Sequence, residues 1–290
     1  MLRDPAHSAA TNPLRPTLLF LVLLVTAVAT PDAMGQVLGT RHNLSTTGTG
    51  ANRFSGTDEV CVFCHTPHGS DVSAAAPLWN RRISGVTYNT YDSLGISTLD
   101  GRTAPVGSVS IACLSCHDGT QAMNVVINAP GSGGYNAAGA AMPGTWNSGG
   151  GATQTAGILN AGIIANLGTD LTNDHPIGIQ YAGGGYTNTS PTTRAANTGD
   201  PDFVAPTSAV IGAGRVWWVD TSVGAAGSRQ RTDMILYARG PGAGGGGYSG
   251  QTEPEPFVEC ASCHDPHSAN PTFLRISNTG SAVCLACHVK

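Results

Sequence analysis

Cys61-Val-Phe-Cys64-His65, Cys113-Leu-Ser-Cys116-His117, Cys260-Ala-Ser-Cys263-His264 and Cys284-Leu-Ala-Cys287-His288 are four copies of one pattern, C-x-x-C-H. It is the attachment signature of c-type haem. The two thiols add across the vinyl groups of the macrocycle, and the adjacent histidine lies beneath the ring as proximal iron ligand. The chain has 8 cysteines, and these motifs use all of them. The reading is therefore four covalently bound haem c groups. Two zinc sites of four cysteines each would use the same thiols, but would leave the histidine after every pair unexplained. Disulfides within each pair would close very small loops and contribute little chain-entropy stabilisation.

The histidines give a second count. Of 9 in the chain, His65, His117, His264 and His288 are proximal, and His7 lies in a segment expected to be removed. His42, His68, His175 and His267 remain, one for each iron, so histidine on both faces of every haem is the economical expectation. Met123, Met142 and Met234 are the rival sixth ligands, and nothing around them favours that role.

His68 and His267 share a setting, His65-Thr-Pro-His68 and His264-Asp-Pro-His267. Three residues after a proximal histidine, each lies on roughly the same side of a local turn. The far face of a haem pinned by its thioethers points away from that turn. Each is therefore expected to reach a neighbouring haem. The preceding proline stops a helix and fixes the chain direction. His42 lies in an N-terminal arm that an iron bond would tie down. His175 sits in Asp174-His-Pro-Ile-Gly178, where Asp174 can orient an imidazole.

Residues 17–29 form one apolar run preceded by Arg3 and Arg15. It is short for a membrane span, which needs about 20 residues, and reads as a secretory signal peptide over 1–35. Ala33 and Gly35 suit cleavage before Gln36, with cleavage before Thr30 as the alternative. No second apolar run exists, so no membrane span is expected in the mature chain. The expected location is secreted or extracellular, with the periplasm or cell surface as alternatives. With 14 Lys and Arg against 18 Asp and Glu, the net charge is −4, and nothing suggests nucleic-acid binding.

The motifs divide the chain into an N-terminal dihaem part (36–123), a Gly-rich region (124–256) and a C-terminal dihaem part (257–290). Arg215-Val-Trp-Trp-Val-Asp220 and Asp233-Met-Ile-Leu-Tyr-Ala-Arg239 read as strands of a β-hairpin over 215–239. The segment 156–167 is expected to form a short helix. Asn188-Thr-Ser190 fits a weak glycosylation pattern. Large aliphatic residues are sparse, so the expected fold is a multihaem cytochrome c. Its chain would be mostly irregular, with short helices around haems and a small β-hairpin, the haems forming the core.

With these motifs in place the chain resembles the tetrahaem extracellular cytochromes that polymerise into filaments, the outer-membrane cytochrome E type of cytochrome nanowire. The matching residues are His42-Asn-Leu-Ser45, Cys61-Val-Phe-Cys-His-Thr-Pro-His-Gly69, Pro77-Leu-Trp-Asn-Arg81, Ala112-Cys-Leu-Ser-Cys-His-Asp-Gly-Thr120, Asp174-His-Pro-Ile-Gly178, Glu259-Cys-Ala-Ser-Cys-His-Asp-Pro-His267 and Phe273-Leu-Arg275. They span most of the chain after the signal segment. The resemblance implies a continuous stack of bis-histidine haems and a homopolymer in which one distal histidine comes from the adjacent subunit. His42, in its terminal arm, is the candidate for that bridging ligand.

The expected function is outer-sphere electron transfer along bis-histidine haems, between other redox proteins or to an extracellular electron acceptor. A discrete shuttle is the alternative. A multihaem reductase needs an open iron position, which the matching histidine count argues against, so no enzymatic activity is expected.

Overall fold

The computed structural model describes residues 33–289 except 132–133, 195–197, 222–224 and 243–245. The signal segment 1–35 lies outside the described residues except for its last three, and His7 lies outside them too. The first helix, α1 (Ala33–Leu38), spans the expected cleavage position before Gln36.

The dominant element is an antiparallel sheet. Its strands are β5 (Ile179–Gln180), β6 (Thr207–Ile211), β7 (Gly214–Val219), β8 (Met234–Arg239) and β9 (Glu255–Val258), in the order β5-β9-β8-β7-β6. Two smaller hairpins precede it: β1 (Val125–Asn128) with β2 (Tyr135–Ala141), and β3 (Gln154–Thr155) with β4 (Ile158–Leu159). The remaining helices are short: α2 (Ser110–His117), α3 (Cys260–Cys263) and α4 (Ala282–Cys287).

Strand alternation explains why this sheet forms. Trp217 pairs with Leu236 and Val219 with Met234, while Trp218 and Ile235 pair in between and point to the other face. All six are buried, so the sheet is covered on both sides. Trp217, Val219, Met234 and Leu236 pack with Tyr181, Tyr186, Ile276 and Val283, and Cys263 and Cys287 border this cluster. A second cluster gathers Phe54, Val62, Phe63, Val126 and Met142 around the first haem motif.

This corrects the expected architecture. The chain is not a mostly irregular wrapping with haems for a core, because the five-stranded antiparallel sheet has a hydrophobic core of its own. Large apolar residues are few over the whole length but concentrate in β7, β8 and β9. The strands expected as a small isolated hairpin are two of five in this sheet. The helix expected over 156–167 is absent as well. Ala156 and Gly157 turn the chain with φ of 50° and 87° between β3 and β4.

Candidate haem-binding sites

The local geometry of the motifs follows from hydrogen bonding within five residues. The His65 N–H donates to the Cys61 carbonyl at 2.8 Å, His264 to Cys260 at 3.1 Å and His288 to Cys284 at 2.9 Å. The second motif lies wholly inside α2. Each cysteine pair thus spans one turn, which puts the two thiols, at i and i+3, on one side, and the histidine N–H closes that turn at its end. Double thioether attachment with an axial histidine needs this arrangement. The helix α2 ends where the Asp118 N–H bonds the Leu114 carbonyl and Gly119 takes a φ of 69°.

The imidazoles share a second device. Nδ1 donates to a backbone carbonyl at 2.7 Å in three of the proximal histidines: His65 to Pro77, His117 to Ala165 and His264 to Thr272. His175 donates to Pro176 at 3.0 Å and His42 to Pro266 at 3.4 Å. His267 turns Nδ1 toward the Asp265 carboxylate at 3.5 Å. An Nδ1–H held this way fixes the tautomer and leaves the Nε2 lone pair for a metal. Burial first, then the neighbouring His117, pushes the His42 pKa down to about 4, and burial also lowers those of His117 and His175. These rings stay neutral at pH 7, as ligands must.

Two histidine pairs face each other. The ring centres of His65 and His267 are 6.1 Å apart with planes at 20°. Those of His42 and His117 are 6.1 Å apart with planes at 65°. Two imidazoles bound to one metal through bonds of about 2 Å would have ring centres about 6 Å apart, and the ring-centre spacing of both pairs matches that separation. His175 has His288 and His264 as electrostatic neighbours. Among the described residues, the exposed His68 makes no ring contact and no side-chain hydrogen bond. His42, the candidate for the bridge between subunits, has its ring centre 6.1 Å from that of His117 of its own chain.

The first and third motifs repeat one scaffold. The Thr66 N–H donates to the Leu78 carbonyl at 2.9 Å, and the Asp265 N–H to Phe273 at 2.7 Å. Asn80 N–H donates to Cys64 at 2.9 Å, and Arg275 N–H to Cys263 at 2.8 Å. The Asn80 side chain donates to Val62 at 2.7 Å, and that of Arg275 to Ala261 at 3.0 Å. Leu78 and Phe273 share a left-handed φ, 53° and 59°. Residues 61–66 and 78–80 therefore correspond to 260–265 and 273–275, although the intervening loops differ in length.

The thiols of successive motifs are neighbours. The Cys64 thiol, which burial pushes up to about 12, has Cys116 as a close electrostatic neighbour. Cys113 and Cys260 are in side-chain contact, and Cys263 neighbours both Cys284 and Cys287. All eight thiols are free of disulfides. Among the described residues no group of three or more His, Cys, Asp and Glu converges as a metal site.

Several partners carry no sequence signal. The carbonyls of Pro77, Ala165 and Thr272 are recognised only once the chain is folded. So are the rings beside the histidines: Phe273 stacks on His42 with centres 4.0 Å apart, and Phe203 lies 4.4 Å from His288. Pro77-Leu-Trp-Asn-Arg81 and Phe273-Leu-Arg275 did stand out as motifs, without their role as ligand supports.

Residues 255–290 match the family model of the doubled CXXCH motif. No curated protein matches the chain. The match covers the third and fourth motifs, with β9, α3 and α4, and marks this region as c-type cytochrome-like and haem-binding.

Proposed function

We propose that the chain binds four haem c groups, each between two histidines, and works as an electron carrier assembled into an extracellular filament. The observation that carries the haem reading is the scaffold repeat. The first motif uses the hydrogen bonds of the third, which lies in the matched region. When bound, haem supplies an iron that exchanges one electron at a time, at low potential when both axial ligands are histidine. The protein's part is to hold and orient. Thiol pairs fix the position of the group, Nδ1 hydrogen bonds aim Nε2, and buried flanks such as Phe63, Trp79 and Ile111 exclude water. The neighbouring thiols of successive motifs favour a continuous path, and no substrate-binding step or enzymatic activity belongs to this reading.

The filament reading rests on a count of partners. His65 lies beside His267 and His42 beside His117, while His175 neighbours both His288 and His264. Pairing His175 with His288 in this reading leaves His264 and the exposed His68. In the proposed polymer His68 of one copy serves the His264 site of the next. Export through the N-terminal apolar segment would place assembly outside the cell, with redox proteins and an extracellular acceptor at its ends. Electron microscopy of the native protein from culture medium tests this: continuous thin filaments are expected. His68→Ala should give discrete particles that still carry four haems. Discrete wild-type particles with full haem content would make the protein a soluble shuttle.

A further inference from the structure

The side chain of Arg81 is 0% exposed and belongs to no ion pair among the described residues. Its five N–H donors all meet neutral oxygens. Nε donates to the Ser115 hydroxyl at 3.2 Å. One terminal nitrogen donates to the carbonyls of Met123 and Val125 at 2.8 and 3.1 Å. The other donates to those of Ser115 and Ala122 at 2.7 and 3.1 Å. A guanidinium does not lose its proton inside a protein. Its donors are engaged, so it has none left for a carboxylate of any bound group. Its charge is solvated by dipoles but not cancelled.

That charge lies between two haem motifs. Ser115 is inside the second motif, and Asn80, the residue before Arg81, bonds the Cys64 carbonyl of the first at 2.9 Å. Charges act strongly at such range where water is excluded. A fixed cation favours the state that carries one more electron, because adding the electron lowers the local positive charge.

We propose that Arg81 is a tuning residue, a buried uncompensated cation that raises the reduction potentials of the irons held by the first two motifs. The inference rests on the four-haem reading. Arg239, whose side chain is also buried, has a carboxylate partner, Glu259, and its charge is balanced there.

The test is a spectroelectrochemical titration of the full-length holoprotein and three variants, after haem content has been counted. Arg81→Gln removes the charge. Arg81→Lys keeps it with fewer hydrogen bonds. Ser115→Asp leaves Arg81 in place and supplies a counter-charge at its Nε partner. Arg81→Gln and Ser115→Asp should shift the same subset of midpoints downward, and Arg81→Lys should leave that subset near its wild-type values. Unmoved midpoints in Ser115→Asp at full haem content would overturn the proposal. So would Arg81→Lys shifting as far as Arg81→Gln, which would assign the effect to lost hydrogen bonds. Wild-type protein without haem on the first two motifs would instead refute the four-haem reading itself.

Discussion

His65 and His267, from the first and third C-x-x-C-H segments, face each other with ring centres 6.1 Å apart and planes 20° apart. His267 follows His264 by three residues, yet its ring reaches the histidine of another motif. The proline at 266 and the Asp265 carboxylate steer it there. His267→Ala should therefore open one axial position at the His65 site, and not at the His264 site. One haem in four should become high-spin in the oxidised protein, read from its absorption and electron paramagnetic resonance. Four unchanged low-spin haems would refute the pairing.

The two histidine pairs differ in twist, 20° for His65–His267 and 65° for His42–His117. Nearly parallel ligand planes split the iron d orbitals more than crossed planes do. The oxidised protein should show at least two classes of low-spin signal, and the crossed pair should give the larger leading g value. Phe273 lies within 9° of parallel to His42, so it sets the plane of that ring. Phe273→Leu fills much of the space without a flat face and should move the large-g signal alone. Phe273→Tyr should leave it in place.

Arg239 and Glu259 form an ion pair, 2% and 0% exposed at their side chains, that fastens β8 to the start of the third motif. Ser110 of α2 donates to the same carboxylate and accepts from the Cys260 N–H at 2.9 Å. Burial raises the Glu259 carboxyl above its usual range, although Arg239 and Ser110 pull the other way. Breaking such a pair strands a buried charge, at a cost of about 3–5 kcal/mol. Arg239→Met should lower unfolding stability by that amount at unchanged haem content. Arg239→Met with Glu259→Leu should recover much of the loss, as denaturant titration would show.

The candidate site was more legible in the sequence than the fold. The C-x-x-C-H motifs name their thiols and proximal histidines because one turn of five residues forms the whole attachment unit. Pairing was not legible, since it depends on contacts such as His65 with His267 that span most of the chain. The surroundings of His42 were not legible for the same reason: the Phe273 ring and the Pro266 carbonyl that hold it lie 224 or more residues along the chain. The sheet was missed because aliphatic residues were counted over the whole length. Trp217, Trp218, Val219 and Met234 to Leu236 are dense only locally, and two neighbouring strands were too few to reveal β5, β6 and β9.

Intact mass spectrometry of the native protein, with its iron content, tests the central claim most directly. The account predicts the mature chain plus four haem additions, one lost with each Cys-to-Ser pair at 61/64, 113/116, 260/263 and 284/287. A chain with haem only on the motifs within 255–290, or with unmodified thiols at 61 and 64, would contradict it.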